Sequence, residues 1–280
     1  MNILDEIFAH KHDEVEERKR IKPLADLRAE AEASPPLVDF VDVLMANRVK
    51  SGTPALIAEV KFASPSKGML VRYPDPPGLA RIYYKAGAAA ISVLTDEKYF
   101  HGCLEYLQAI HRELPAMPLL RKDFVFDPYQ VYEARAAGAS AVLLIAAHLD
   151  MAGLADLHAL IHELGMAALV EVHNRTELEA AMQIKGLALL GVNNRDLRTF
   201  QVKLETCLDL RALVPDSICF VAESGIHTGE DVRRLSAASV DAMLVGEALV
   251  TAPDVTRAIH NLIGQPAGQA NPSREMQPCT

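Results

Sequence analysis

The sequence predicts an α/β protein whose strands close into a (β/α)8 TIM barrel carrying an N-terminal helical extension. Two observations predict it. Short apolar, β-prone runs recur eight times, each followed by a longer segment with helical periodicity. Their starts lie about 20 to 35 residues apart, the length of a βα unit with short loops. Eight such units over roughly 200 residues suit a closed barrel better than an open doubly wound sheet, and no GxGxxG follows the first run.

Residues 1–50 precede the first run and are not needed by the barrel. Ile3, Leu4, Ile7 and Phe8, and later Val38, Phe40, Val41, Val43 and Leu44, give two amphipathic stretches separated by the helix-breaking Ser34-Pro35-Pro36. Their apolar stripes would otherwise be exposed, so this extension is expected to pack on the barrel and cover part of its mouth. The barrel itself is expected over 51–264. Its runs are PALIAEVKF from Pro54, AAISVLT from Ala89, MPLLRKDF from Met117, AVLLIAA from Ala141, AALVEVH from Ala167, LALLGVNN from Leu187, ICFVAES from Ile218 and AMLVGEA from Ala242. Helix ends are marked between them: Asp127 opens a segment that stops at Gly138, Asn174 precedes RTELEAAMQ, and Thr228 precedes GEDVRRLSAA. The Pro/Gln/Ser-rich stretch 265–280 has no periodicity and is expected to be disordered.

Composition narrows the function. The net charge of -9 argues against a nucleic-acid partner, and no apolar run approaches the roughly 18 residues of a membrane span. Cys103, Cys207, Cys219 and Cys279 form no CxxC pair, so a reducing cytoplasm is the expected location. The acidic N-terminus has no secretory pattern. His158 and His162 are four apart without an HExxH motif, and the reading preferred for them is a solvated helix face; no metal site is expected.

Catalytic groups of such a barrel stand at the C-terminal ends of its strands, so polar residues that break the runs there are candidates. Glu59 and Lys61 alternate onto one face of the first strand, as a structural ion pair or a catalytic one. In Arg121-Lys122-Asp123, Lys122 is the inward candidate. Glu171 lies in an apolar run where a carboxylate is costly unless paired or functional. Asn193 and Arg195 offer an amide and a guanidinium, with a turn role as the alternative for Asn193 and Asn194. Glu223-Ser224-Gly225 and Gly246-Glu247 end the last two strands ahead of helix starts, a phosphate-site pattern. An anionic substrate would need local cations against the overall charge, and Lys61, Lys122 and Arg195 surround one opening.

At these residues the sequence resembles the indole-3-glycerol phosphate synthases. The motifs are IAEVKFASPSKG (57–68), VLTDEKYFHG (93–102), LLRKDFVFDPYQVYEARAAGA (119–139), GVNNRDLRTF (191–200), VAESGI (221–226) and LVGEAL (244–249). The resemblance spans roughly 3–262; Phe62, where the family commonly has a charged or polar residue, departs from it. It implies conversion of 1-(2-carboxyphenylamino)-1-deoxyribulose 5-phosphate to indole-3-glycerol phosphate, with loss of carbon dioxide and water and without metal or organic cofactor. By motif position, Lys122 resembles the general acid, with Glu59 and Lys61 beside it. Glu171 and Asn193 match groups that assist dehydration and hold the substrate hydroxyls, and Glu223 and Ser224 line the same opening. Ser64, Gly225, Gly246 and Glu247 match phosphate-binding positions, and Phe100 and Phe124 would contact the anthranilate ring.

Two alternatives stand beside this reading. One is another phosphate-binding barrel, such as phosphoribosylanthranilate isomerase or a ribulose-phosphate epimerase, whose Cys/Asp pair or metal-binding His and Asp are not evident. The other is a silent barrel acting as a binding partner, whose mark would be loss of Lys122 or Glu171; both are present. Transient contact with other tryptophan-pathway enzymes is the partner expected besides the phosphorylated substrate.

Overall fold

Each apolar run becomes a strand, and parallel pairing of all eight closes a barrel around a filled interior. The computed structural model describes residues 3–264 except 66, 72–73, 197–198 and 200, so the tail expected to be disordered lies outside the described residues. In chain order the elements are α1 (Ile3–Ile21), α2 (Leu24–Ala33), α3 (Phe40–Ser51), β1 (Ala55–Val60), β2 (Ala63–Ser64), β3 (Gly68–Met69), α4 (Pro76–Ala86), β4 (Ala90–Leu94), α5 (Leu104–Glu113), β5 (Leu119–Lys122) and α6 (Pro128–Ala136). They continue with β6 (Ala141–Ile145), α7 (Met151–Glu163), β7 (Ala167–Val172), α8 (Arg175–Ala181), β8 (Leu189–Asn193), α9 (Glu205–Arg211), β9 (Cys219–Glu223), α10 (Gly229–Ala237), β10 (Ala242–Val245), α11 (Glu247–Val250) and α12 (Val255–Ile263). The barrel order is β1-β10-β9-β8-β7-β6-β5-β4, closed by the β1–β4 pair, while β2 and β3 form a small antiparallel hairpin after β1.

Alternation along the strands divides the core into two layers. Leu56, Ala58, Val60, Ile91, Val93, Val170 and Val192 face the surrounding helices, whereas Ala55, Ile57, Leu120, Leu143, Leu169, Val221 and Leu244 fill the barrel. Phe62 belongs to the outer layer, buried and edge-on to Tyr106, which explains an aromatic residue at that position. The predicted caps form: Asp127 and Thr228 each make a capping box, and Asn174 accepts from the N–H of Glu177.

The N-terminal segment has three helices where the sequence showed two stretches. Pro23 cannot continue α1, and the Lys22 carbonyl left past its end lies 3.1 Å from the Tyr129 hydroxyl, whose one proton it shares with the Arg18 carbonyl already bonded by Lys22 N–H. The Ser34-Pro35 break is likewise satisfied, its two carbonyls accepting from Arg135. The helices cover both ends of the barrel. Leu4 and Ile7 of α1 line a cleft with Lys61, Phe100, Phe124 and Arg195 at the C-terminal mouth. At the opposite end Phe40 and Leu44 of α3 pack into the inner layer, and Arg48 donates to the carbonyl of Val240.

Candidate active site

The uppermost inward layer is where the interior turns from apolar to charged. Two residues beyond Ile57, Leu120, Leu169 and Val221, the same alternation brings Glu59, Lys122, Glu171 and Glu223 inward, and Asn193 ends β8 beside them. Lys122 Nζ stands 3.8 Å from Glu171 Oε2 and 3.8 Å from Glu223 Oε2. Lys61 Nζ lies 3.0 Å from Glu59 Oε2. Arg121 and Asp123 do not enter this layer's ion pairs; Arg121 is buried behind it, donating to the Gln130 carbonyl and pairing with Asp123 and Glu133.

Glu171 and Glu223 are both buried against one lysine and cannot both be charged without cost. Burial drives the Glu223 carboxyl up, neighbouring Glu171 adds to this, and its pKa rises to about 8. Neither oxygen of Glu223 has a hydrogen-bond partner among the described residues. Burial would raise Glu171 too, but Lys122, His173 and Asn193 outweigh it and hold its pKa below the ordinary range. Burial works against the Lys122 charge, and Glu171, Glu223 and Glu59 overcome it, so its pKa is raised. At neutral pH the site therefore holds an ammonium beside one carboxylate and one carboxylic acid, which lets it both give and take a proton.

Around this polar centre, one cleft collects Glu59, Lys61, Phe100, Lys122, Phe124, Glu171, Asn193, Arg195, Glu223, Ser224, Gly225, Gly246 and Glu247, with Leu143, Ile145 and Leu244 as its apolar wall. Ser64 lies in an adjoining cleft that shares Lys61, Phe100, Phe124, Arg195 and Glu247. Its buried hydroxyl has no partner among the described residues. The expected helix starts differ between the two glycine loops. Gly246 is the N-cap of α11, but Ser224 and Gly225 (φ 64° and 77°) form a left-handed turn, and α10 begins only after Thr228. The Glu247 side chain is paired with Lys67, so an anion could use its backbone N–H rather than its carboxylate.

Sequence reasoning passed over several groups. His173 continues the inward alternation of Glu171, a signal that was available; its Nε2 lies 3.3 Å from Glu171 Oε1 and its Nδ1 3.1 Å from Glu177 Oε2. Burial would lower its pKa, but the two glutamates raise it to about 10. Both Asn at the end of β8 brace the backbone: Asn193 Oδ1 accepts from Arg195 N–H in a local turn, and Asn194 accepts from Cys207 N–H and donates to the Ser224 carbonyl. The solvated face expected for His158 is corrected: its ring is buried against the core, which lowers its pKa to about 4, while His162 is exposed. Among the described residues no group of three or more His, Cys, Asp or Glu is arranged to hold a metal ion, and no helix is long and apolar enough to cross a membrane.

Comparison with known proteins gives one consistent result. The family model described as indole-3-glycerol phosphate synthase matches residues 4–262. An indole-3-glycerol phosphate synthase of Roseiflexus sp. (strain RS-1) is 53% identical over 270 residues, covering 94% of this chain and 98% of the relative. One from Albidiferax ferrireducens is 48% identical over 261 residues, covering 93% and 98%. Among solved structures, 3-hexulose-6-phosphate synthase from Salmonella typhimurium superposes with a TM-score of 0.60 at 12% identity, covering 74% of this chain and 96% of that one. Thiamine phosphate pyrophosphorylase from Pyrococcus furiosus gives 0.56 at 18%, covering 76% and 95%; both likenesses concern the fold alone.

Proposed function

The chain belongs to the indole-3-glycerol phosphate synthase family of carboxy-lyases, and we propose that Lys122 and Glu171 are the acid and base with which it acts. The reaction closes the ring of 1-(2-carboxyphenylamino)-1-deoxyribulose 5-phosphate and loses carbon dioxide and water. The observation that carries the assignment is the Lys122 ammonium held between Glu171 and Glu223 at the mouth. Attack of the aromatic ring on the ketone turns its oxygen into a hydroxyl, and the Lys122 ammonium supplies that proton. Loss of the hydroxyl as water then needs acid and base together. Glu171, ionised beside Lys122 and His173, is the base; the protonated Glu223 is a second proton store beside the lysine.

Binding follows from the rest of the cleft. Phe100 and Phe124, with ring centroids 6.0 Å apart, would hold the anthranilate ring against Leu143 and Ile145. Lys61, Arg195, the unpartnered Ser64 hydroxyl and the backbone at Gly225 and Gly246 would take the phosphate. The proposal extends to a cytoplasmic setting, supported by the free thiols of Cys103, Cys207 and Cys219. It extends also to transient contact with other tryptophan-pathway enzymes, which crosslinking in cell extract would test. Purified protein given the carboxyphenylamino-deoxyribulose phosphate should form indole-3-glycerol phosphate without added metal and equally with chelator. No product, or product abolished by chelator, would overturn the reading.

A further inference from the structure

Phe100 and Phe124 sit on the turns that follow β4 and β5, and each turn is folded around an aspartate. Asp96 Oδ1 accepts from the N–H groups of Tyr99 and Phe100 at 2.8 and 3.1 Å. Asp123 Oδ1 accepts from Phe124 N–H at 2.9 Å. Both aspartates are buried, with exposures of 0% and 2%. Between them lies Lys11 of α1, itself 0% exposed, its Nζ 2.9 Å from Asp96 Oδ2 and 3.1 Å from Asp123 Oδ1. One turn earlier on the same helix, the Phe8 ring meets Phe124 edge-on at 5.4 Å.

Docking α1 does not require this arrangement. Lys19 ties the helix to Asp127 at 2.7 Å in a half-exposed pair, with less desolvation than a buried ammonium suffers. Lys11 differs because each barrel carboxylate it meets also holds the backbone of one ring. Asp123 has Arg121 as a further cation, whereas among the described residues Asp96 pairs with Lys11 alone, whose ammonium also meets Glu14 at 2.9 Å. Thr95, one residue before Asp96, also donates its Oγ1 hydroxyl to Asp123 Oδ2 at 2.6 Å, so the two turns touch within the barrel, and Lys11 adds from outside it a point charge shared by both aspartates.

We propose that Lys11 is a positioning residue whose ammonium clasps Asp96 and Asp123 and so fixes Phe100 against Phe124, making the N-terminal extension a builder of the aromatic half of the substrate site. This rests on the reading of those rings as the anthranilate contacts. A displacement of about 1 Å at a positioned group can cost on the order of a hundredfold, so a lost clasp should show in substrate binding.

The test compares Lys11→Met and Lys19→Met in the full chain. Lys11→Met should raise KM for the carboxyphenylamino-deoxyribulose phosphate about tenfold or more, with the inhibition constant of inorganic phosphate unchanged. Lys19→Met should leave both constants as they are. A merely structural role lowers the folded fraction, and hence apparent kcat, without changing KM of the molecules that remain folded. Lys11→Met with parental KM, or with phosphate and substrate weakened alike, would overturn the proposal. Should Lys11→Met not fold, Lys11→Arg keeps the charge but replaces a point-like ammonium by a planar fork; it is expected to fold with a raised KM, and parental KM there would overturn the clasp. Phe124→Ala separates the two claims. An unchanged KM in that variant removes the ring reading itself, whereas a raised KM there with none in the lysine variant removes only the clasp.

Discussion

Gly191 makes room for Glu223: a Cβ on residue 191 would collide with Oε1 of that side chain. The glycine lies inside β8, with its neighbour Asn193 in register with Glu223 of β9. Its φ is not among the positive ones, so the backbone would accept alanine. Gly191→Ala should therefore fold, displace the Glu223 carboxyl and lower kcat by roughly tenfold or more, since small misplacements of reacting groups are costly. Melting temperature and kcat measured together check this, and unchanged kcat would show that the Glu223 position is not critical.

The protonation of Glu223 gives a pH-dependent signature. Its folded pKa of about 8 lies above the ordinary 4.5, so its contribution to stability is complete below pH 4.5 and is lost as pH rises toward 8. Glu223→Gln suffers no such loss. The variant should gain in melting temperature relative to the parent as pH is raised through that interval. A difference independent of pH would contradict the raised value.

His173 should act through Glu171. Its imidazolium, kept charged by Glu171 and Glu177, helps hold the Glu171 carboxyl low. His173→Gln removes that charge, so the Glu171 pKa should rise and the acid limb of the kcat/KM profile should move to higher pH. An acid limb that stays in place would detach His173 from the base.

Phosphate binding is better probed at Ser64 than at Gly246. A Cβ at Gly246 would collide with Oε2 of Glu59, so Gly246→Ala should lower kcat as well as weaken binding. Ser64→Ala removes one donor and should raise KM by roughly tenfold with little change in kcat, because phosphate contacts are mostly uniform binding. Inhibition by inorganic phosphate should weaken in parallel; unchanged inhibition would exclude the Ser64 hydroxyl from the site.

The barrel was legible because its signals are local. An apolar run such as AVLLIAA, or a cap such as Thr228 with Asp231 three residues on, states its own conformation. Alternation pointed Glu59 and Lys122 inward, the cost of a carboxylate in an apolar run marked Glu171, and the strand-ending Glu-Ser-Gly marked Glu223; the four meet in one layer. Lys11 was not legible, since it stands among His10, His12 and Asp13 and reads as a solvated face until Asp96 and Asp123, far along the chain, are brought to it. The placing of α3 at the closed end was hidden for the same reason: Phe40 and Leu44 announce an apolar stripe but not the surface it meets. The Pro23 break was readable, and the double proline at 35 and 36 overshadowed it.

The assignment of Lys122 as the acid is tested most directly by single-turnover measurement of Lys122→Met, following carbon dioxide release and indole formation together. Losing a positioned acid costs about 10² to 10⁴ in rate. Lys122→Met should therefore fold, bind substrate and release almost no carbon dioxide, because ring closure precedes decarboxylation. Glu171→Gln should instead slow dehydration, so that carbon dioxide appears ahead of indole. Carbon dioxide and indole formed by Lys122→Met at near-parental rates would contradict the account and remove that lysine from the mechanism.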